Sequence, residues 1–176
     1  MGRRLAALAL VAGLVFGGCG YSLSPSPYGM MESMTVSVPV AINQSRYADL
    51  GPMLTSDIIN RLNASPEISV RENSVSKLRL EIKNVSITGG AWETRRGDNV
   101  PINSASRVIN ISVEAVLERP NPKGGAPLVR RNTFISRRNF LVTSEQAYME
   151  LQENEAIKWV VSDLGQKIAQ TMFSEF

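Results

Sequence analysis

The sequence predicts an α+β fold, an α/β two-layer arrangement in which two helices pack on one face of a four-stranded mixed sheet, in the order β-α-β-β-β-α. Apolar and polar residues alternate along several separate stretches, the signature of half-buried strands. Two other stretches repeat their apolar residues every three or four positions, the signature of amphipathic helices. The first helical stretch follows the first strand, and a strand-helix-strand unit returns parallel, so the sheet is mixed.

Met34, Val36, Val38, Val40 and Ile42 alternate with Thr35, Ser37, Pro39 and Ala41, which predicts the first strand. Pro39 cannot donate to a ladder, so it marks a sheet edge or a bulge. From about Asp49 the period becomes four, through Leu50, Leu54, Ile58 and Leu62, with Pro52 in the first turn where proline is tolerated. That helix ends between Asn63 and Pro66. Leu78, Leu80 and Ile82 then face one way and Lys77, Arg79, Glu81 and Lys83 the other, while Val85 and Ile87 take the opposite parity. A bulge near Lys83-Asn84 accounts for the switch.

The clearest strand is Ile109, Ile111, Val113, Ala115 and Leu117 alternating with Asn110, Ser112, Glu114 and Glu118. Pro120 to Pro127 holds a Gly-Gly pair and reads as a hairpin loop into a last strand, Leu128 to Val142, rich in Arg and Phe. Thr143 and Gln146 fit a capping box for the final helix, whose stripe runs through Leu151, Ile157, Val160, Val161, Leu164, Ile168 and Met172. Both helices are expected on one face, which leaves the other face without a covering layer.

Chain length and composition narrow the function. With 176 residues, 43% hydrophobic and 20% charged, the chain is one domain with a core of its own. It has no histidine, which removes the commonest general base, the commonest neutral metal ligand and every Ser-His or Cys-His nucleophile. A single cysteine leaves no disulfide within the chain and no cysteine-cluster metal site. No cofactor is implied, and a binding or assembly protein is expected before an enzyme.

Arg3 and Arg4 precede an apolar run from Leu5 to Phe16, about a dozen residues, the length of a signal-peptide core and too short for a bilayer. Val15-Phe16-Gly17-Gly18-Cys19 resembles a bacterial lipobox, although the pattern prefers Leu where Phe16 stands. The alternative is an ordinary signal peptide with an incidental cysteine. The lipobox reading predicts a signal peptide over 1–18, acylated Cys19 at the head of a tether over 19–33, and one domain over 34–176. Three acyl chains on Cys19 would hold the protein stably to a membrane, where two such signals suffice. Gly20, where an Asp favours inner-membrane retention in enterobacterial lipoproteins, permits transport to the periplasmic face of the outer membrane.

Charge is unevenly distributed. Residues 19–70 carry a net −2, residues 71–138 a net +7 and residues 139–176 a net −4. Arg95 and Arg96 fall in the long connection from Gly89 to Ser104, Lys123 in the hairpin, and Arg130, Arg131, Arg137 and Arg138 on the last strand. Arginine forks match phosphates bidentately, which points to a phosphorylated partner. The competing account is a solvated strand surface that discourages edge pairing. Nucleic acid is not expected, since the chain is exported and carries no DNA-reading pattern.

Cys19-Gly20-Tyr21-Ser22-Leu23, the valine-rich strand reaching Pro39 and Asn43, the short helix, Leu78-Arg79-Leu80 with Val85-Ser86-Ile87, the Val113 to Leu117 strand and the C-terminal amphipathic helix together resemble the LPS-assembly lipoprotein family LptE. The resemblance covers essentially the whole mature chain. It implies a non-enzymatic protein that plugs the large LptD β-barrel, assists its assembly and binds lipopolysaccharide on its way to the outer leaflet. Arg95 and Arg96 match the family's basic LPS-contacting loop, and Arg130 and Arg131 are further candidates for the lipid phosphates. Where some members carry a lysine early in the last helix, this chain has Glu150, Gln152 and Glu153. Another outer-membrane assembly lipoprotein, such as a secretin pilotin, is the alternative. A glycan hydrolase would need paired carboxylates; Glu145, Glu150, Glu153, Glu155 and Asp163 share one helix as a solvated face, and Glu81, Glu114 and Glu118 are interleaved on strands.

Overall fold

A computed structural model describes residues 34–97, 100–142 and 146–174, with side chains for 34–89, 106–142 and 146–174. The signal segment, Cys19, the tether, Thr143 of the capping box and Glu145 lie outside the described residues.

The strands are β1 (Met34–Ser37), β2 (Ile42–Asn43), β3 (Ile68–Val70), β4 (Ser76–Gly97), β5 (Val100–Arg119) and β6 (Leu128–Val142). The helices are α1 (Leu50–Asn63) and α2 (Gln146–Phe173). They form a mixed sheet in the order β3-β1-β4-β5-β6, with β2 also paired to β4. The two-layer α+β class is as expected, but there are six strands where the periodicity predicted four. The alternation predicted over 34–42 holds only to Ser37: the ladder breaks around Pro39, which has no N–H to give, and beyond it the buried parity reverses, with Ala41 buried and Val40 and Ile42 exposed. The chain resumes as β2, pairing Ile42 with Glu81 on β4. β3 went unrecognised because three residues are too few to show a period. It pairs parallel with β1, Met34 opposite Ile68, so the first parallel return is β1-α1-β3.

β4, β5 and β6 form the antiparallel body. The register of β4 on β5 shifts between Ile82 and Asn84, where the parity change placed a bulge, and again between Gly89 and Trp92. Gly89-Gly90 and the polar residues after it, read as a connection, are instead strand: Trp92 pairs with Ala105 and Gly97 with Val100. β6 ends opposite Ala105, at Val142. Beyond that point the β4–β5 ribbon is two-stranded among the described residues.

The core lies on the helix side of the sheet. Leu78, Leu80 and Ile82 of β4, Ile109 to Leu117 at odd positions of β5, and Phe134, Phe140 and Val142 of β6 are buried there. Leu50, Leu54, Ile58 and Leu62 of α1 and Val160, Leu164, Ile168 and Met172 of α2 meet them, all with 2% exposure or less. Each such side chain contributes roughly 1.5–3 kcal/mol of burial. The two helices cross at Gly165, where a Cβ would run into the Asp57 carboxylate, and Arg61 ties them by donating to the Ser162 carbonyl at 3.0 Å and its hydroxyl at 2.8 Å. Thr55 anchors the chain after Pro39 to α1. Its Oγ1 accepts from the Ala41 N–H at 2.9 Å and donates to the Gly51 carbonyl at 2.8 Å.

Candidate functional site

The uncovered face of β4–β5–β6 is a charged ladder at one end. Glu81 and Glu114 stand directly opposite each other across β4 and β5, an arrangement that repels unless neutralised. The bulge supplies the remedy. Lys83, the residue it displaces, places Nζ 2.7 Å from Glu81 Oε2 and 3.0 Å from Glu114 Oε2, and Arg131 Nε lies 3.2 Å from Glu114 Oε1. Arg79 pairs with Glu118 beside them. The hydrogen bonds to Glu81 and Glu114 raise the Lys83 ammonium above its usual range. The Lys83 hydrogen bond, aided by the charges of Lys83 and Arg131, holds Glu114 below the usual carboxylate range against the cost of burial. Further along, the face turns neutral, with Asn84 opposite Ser112, Ser86 opposite Asn110 and Thr88 opposite Val108. There the Asn110 Oδ1 is buried and accepts no hydrogen bond among the described residues.

The arginines expected to act together are dispersed. Residues of β6 with even numbers share the side of buried Phe134, Ser136, Phe140 and Val142, so Arg130 and Arg138 lie toward the helices while Arg131 and Arg137 lie on the open face. Arg138 stacks on the Trp159 ring of α2, 4.6 Å from its centroid. Arg95 and Arg96 occupy register positions opposite Ile102 and Pro101 on the two-stranded ribbon. Val116, opposite Arg131, is fourteen positions along β5 from Ile102, so the two arginine pairs are separated by roughly 45 Å of strand. They cannot grip one phosphate. Lys123 sits in the β5–β6 turn, ahead of Gly124 and Gly125, whose φ values of 76° and 97° suit glycine.

The acidic residues of α2 are committed one by one. Glu153 accepts from the Tyr47 hydroxyl at 2.8 Å, Glu155 meets Lys158 at 3.1 Å, and Asp163 meets Lys167 at 2.6 Å while accepting from the Ser136 hydroxyl at 2.6 Å. Burial pushes the Asp163 carboxyl up, but the bonds from Lys167 and Ser136 outweigh it and its pKa falls below the ordinary value. Among the described residues no group of acidic or cysteine side chains could hold a metal ion, and no helix is long and apolar enough to cross a membrane. Lys83 as a ligand of two carboxylates and Trp159 as a surface aromatic are not among the residues expected from sequence. The bulge near Lys83-Asn84 is the signal that singles out Lys83, and Trp159 stands off the apolar stripe of α2.

Comparison with known proteins agrees with this architecture. A candidate lipoprotein from Caulobacter crescentus is similar in structure, with a TM-score of 0.51 at 14% identity over 80% of this chain and 89% of that one. A candidate neuraminyllactose-binding hemagglutinin homologue from Helicobacter pylori has a TM-score of 0.54 at 11% identity, over 82% of this chain and 86% of that one. At such identities the likeness establishes the fold alone. No curated protein sequence matches the chain. The family model described as LptE, lipopolysaccharide-assembly, matches residues 33–172. The chain therefore belongs to the LptE lipopolysaccharide-assembly family.

Proposed function

We propose that this protein is an outer-membrane lipoprotein, held at the periplasmic face by acylated Cys19, that plugs and helps assemble an LptD-type β-barrel and takes part in moving lipopolysaccharide to the outer leaflet. The family match over residues 33–172 carries this reading. The open face supports it: Glu81, Glu114 and Glu118 are neutralised within the sheet and Ser86, Asn110 and Ser112 continue the face, a hydrogen-bonding surface suited to the polar interior of a large barrel. The role is binding and assembly, without catalysis.

Arg95 and Arg96 are the proposed contacts to lipid phosphates. A ribbon of two strands has little stability alone, so a partner surface alongside it would both support it and meet those two cations. Arg130 and Arg131, on opposite sides of β6, would form two further, secondary contacts, and Arg131 would first have to leave Glu114.

The test is affinity purification of the tagged full-length protein from detergent-solubilised outer membranes, with mass spectrometry of Cys19 and of co-eluting proteins. A stoichiometric large β-barrel and a triacylated Cys19 are expected. Acylated protein eluting with a secretin, or alone, overturns the plug reading. An Arg95→Glu/Arg96→Glu variant is expected to keep the barrel and lose lipopolysaccharide transport.

A further inference from the structure

The seam between β6 and α2 is used neither by the open-face ladder nor by the distal ribbon. β6 is the last strand of the sheet, so one row of its backbone groups meets no other strand among the described residues. Lys167 Nζ lies 3.4 Å from the Ile135 carbonyl oxygen, which shows that this carbonyl points away from β5. Strand alternation then turns the N–H and C=O groups of Arg137, Asn139 and Leu141 to the same free side. No proline or bulge blunts β6 along this stretch.

α2 runs beside that edge. Its Gln152, Glu155, Trp159 and Ser162, three or four residues apart, line a groove of about 540 Å³ against Arg138–Leu141. A second hollow of about 500 Å³ continues past Trp159 to Arg137, Asp163 and Lys167. Trp159 and Leu141 are 44% and 58% exposed, two apolar surfaces on either side of the β6 edge. Arg137, Arg138, Lys158 and Lys167 face only Glu155 and Asp163, and both carboxylates are already paired with the lysines. Arg137 and Arg138 make no ion pair among the described residues. A strand edge beside a helix, with main-chain groups free and side-chain hollows alongside, is the geometry that accepts an extended peptide as an added strand.

We propose that the β6–α2 seam is a strand-addition site for an extended, acidic segment of a partner polypeptide. The segment hydrogen-bonds to the outward backbone of Arg137, Asn139 and Leu141, a run of about 13 Å. Its side chains alternate between the two faces of the sheet, so on the open face it meets Arg137 with a carboxylate and Leu141 with an apolar group, and on the helix side it meets Arg138 and Trp159 in the same way. Lys167, occupying the Ile135 carbonyl, closes one end. A second copy of this chain is a poor occupant, because two β6 edges would set their arginines against each other. The proposal does not depend on the barrel reading, since the partner is identified by the peptide it contributes.

The experiment places p-benzoyl-phenylalanine at position 159 of the full-length protein in its own cell envelope, irradiates it and sequences the cross-linked peptide by mass spectrometry. Ser56, exposed on α1, is the control position. The expected product is an acidic stretch of another polypeptide, reduced about fivefold or more by Asn139→Pro and by Arg137→Glu/Arg138→Glu. Asn139→Pro removes an outward N–H and no bond to β5, so thermal unfolding by circular dichroism should be nearly unchanged. If that variant unfolds, the charge reversal decides alone. A cross-link to a glycolipid, to a second copy or to another part of the same chain overturns the proposal. So does one that survives the substitutions in the folded protein, or one no stronger than at position 56. A barrel peptide supports both this site and the plug reading; an acidic peptide from any other protein supports the site and removes the plug reading.

Discussion

The two faces of the β4–β5–β6 sheet are built from the same strands, residue by residue in alternation, and are held in different ways. On the helix side Ile109, Ile111, Val113, Ala115 and Leu117 are almost wholly buried against α1 and α2. On the other side Glu114 and Glu118, their immediate neighbours, are held by Lys83, Arg131 and Arg79, with no layer above them among the described residues. Burial is large and adds up over every methylene, whereas exposed ion pairs lose most of their Coulomb energy to solvent. The covered face therefore sets stability, and the open face is free to be shaped for a partner.

This contrast can be broken most directly in the core. Leu164→Ala, at the helix crossing, is expected to cost about 2–5 kcal/mol in urea unfolding. Should it cost no more than an open-face substitution, the covered face is not what holds the fold. Thr55→Val comes next. It keeps the shape but leaves the Ala41 N–H without its acceptor, for a loss of about 1–3 kcal/mol by the same measurement. Arg79→Ala, on the open face, should change stability by about 0.5 kcal/mol or less.

The pH dependence sharpens the comparison. Glu114 on the open face and Asp163 at the helix–sheet seam both have pKa values below those of free carboxyls. Their stabilisation is therefore present above the unfolded-state pKa, about 4, and is lost as pH falls through the folded values. Lys83, raised by its two carboxylates, works at the other end; its contribution is whole below the ordinary lysine pKa and is lost as pH rises through the folded value. Melting curves between pH 7 and pH 3 should show a decline that is shallower in Glu114→Gln and in Asp163→Asn. An unaltered slope in both variants would mean that these ion pairs do not couple to folding.

Much of the architecture is legible in local pattern. The alternation over 109–117 and the four-residue stripe from Leu50 to Leu62 announce their elements, and the parity change after Ile82 announces the bulge. β3 is too short to carry a period. The segment after Gly89 has the composition of a turn, and only its register against Val100 to Arg107 makes it strand. At the candidate site, odd and even numbering already separates Arg131 and Arg137 from Arg130 and Arg138. The cation above Trp159 is not readable that way, because Arg138 and Trp159 are 21 positions apart and meet only when α2 folds back along β6.

Periodicity in the chain was enough for the kind of each long element, its buried side and the absence of histidine chemistry, since these are properties of one segment or of composition. Which strands pair, which cation meets which carboxylate and where a backbone edge is left open were decided in three dimensions. Those outcomes depend on register between segments distant in sequence, and a shift of one residue turns each side chain to the other face.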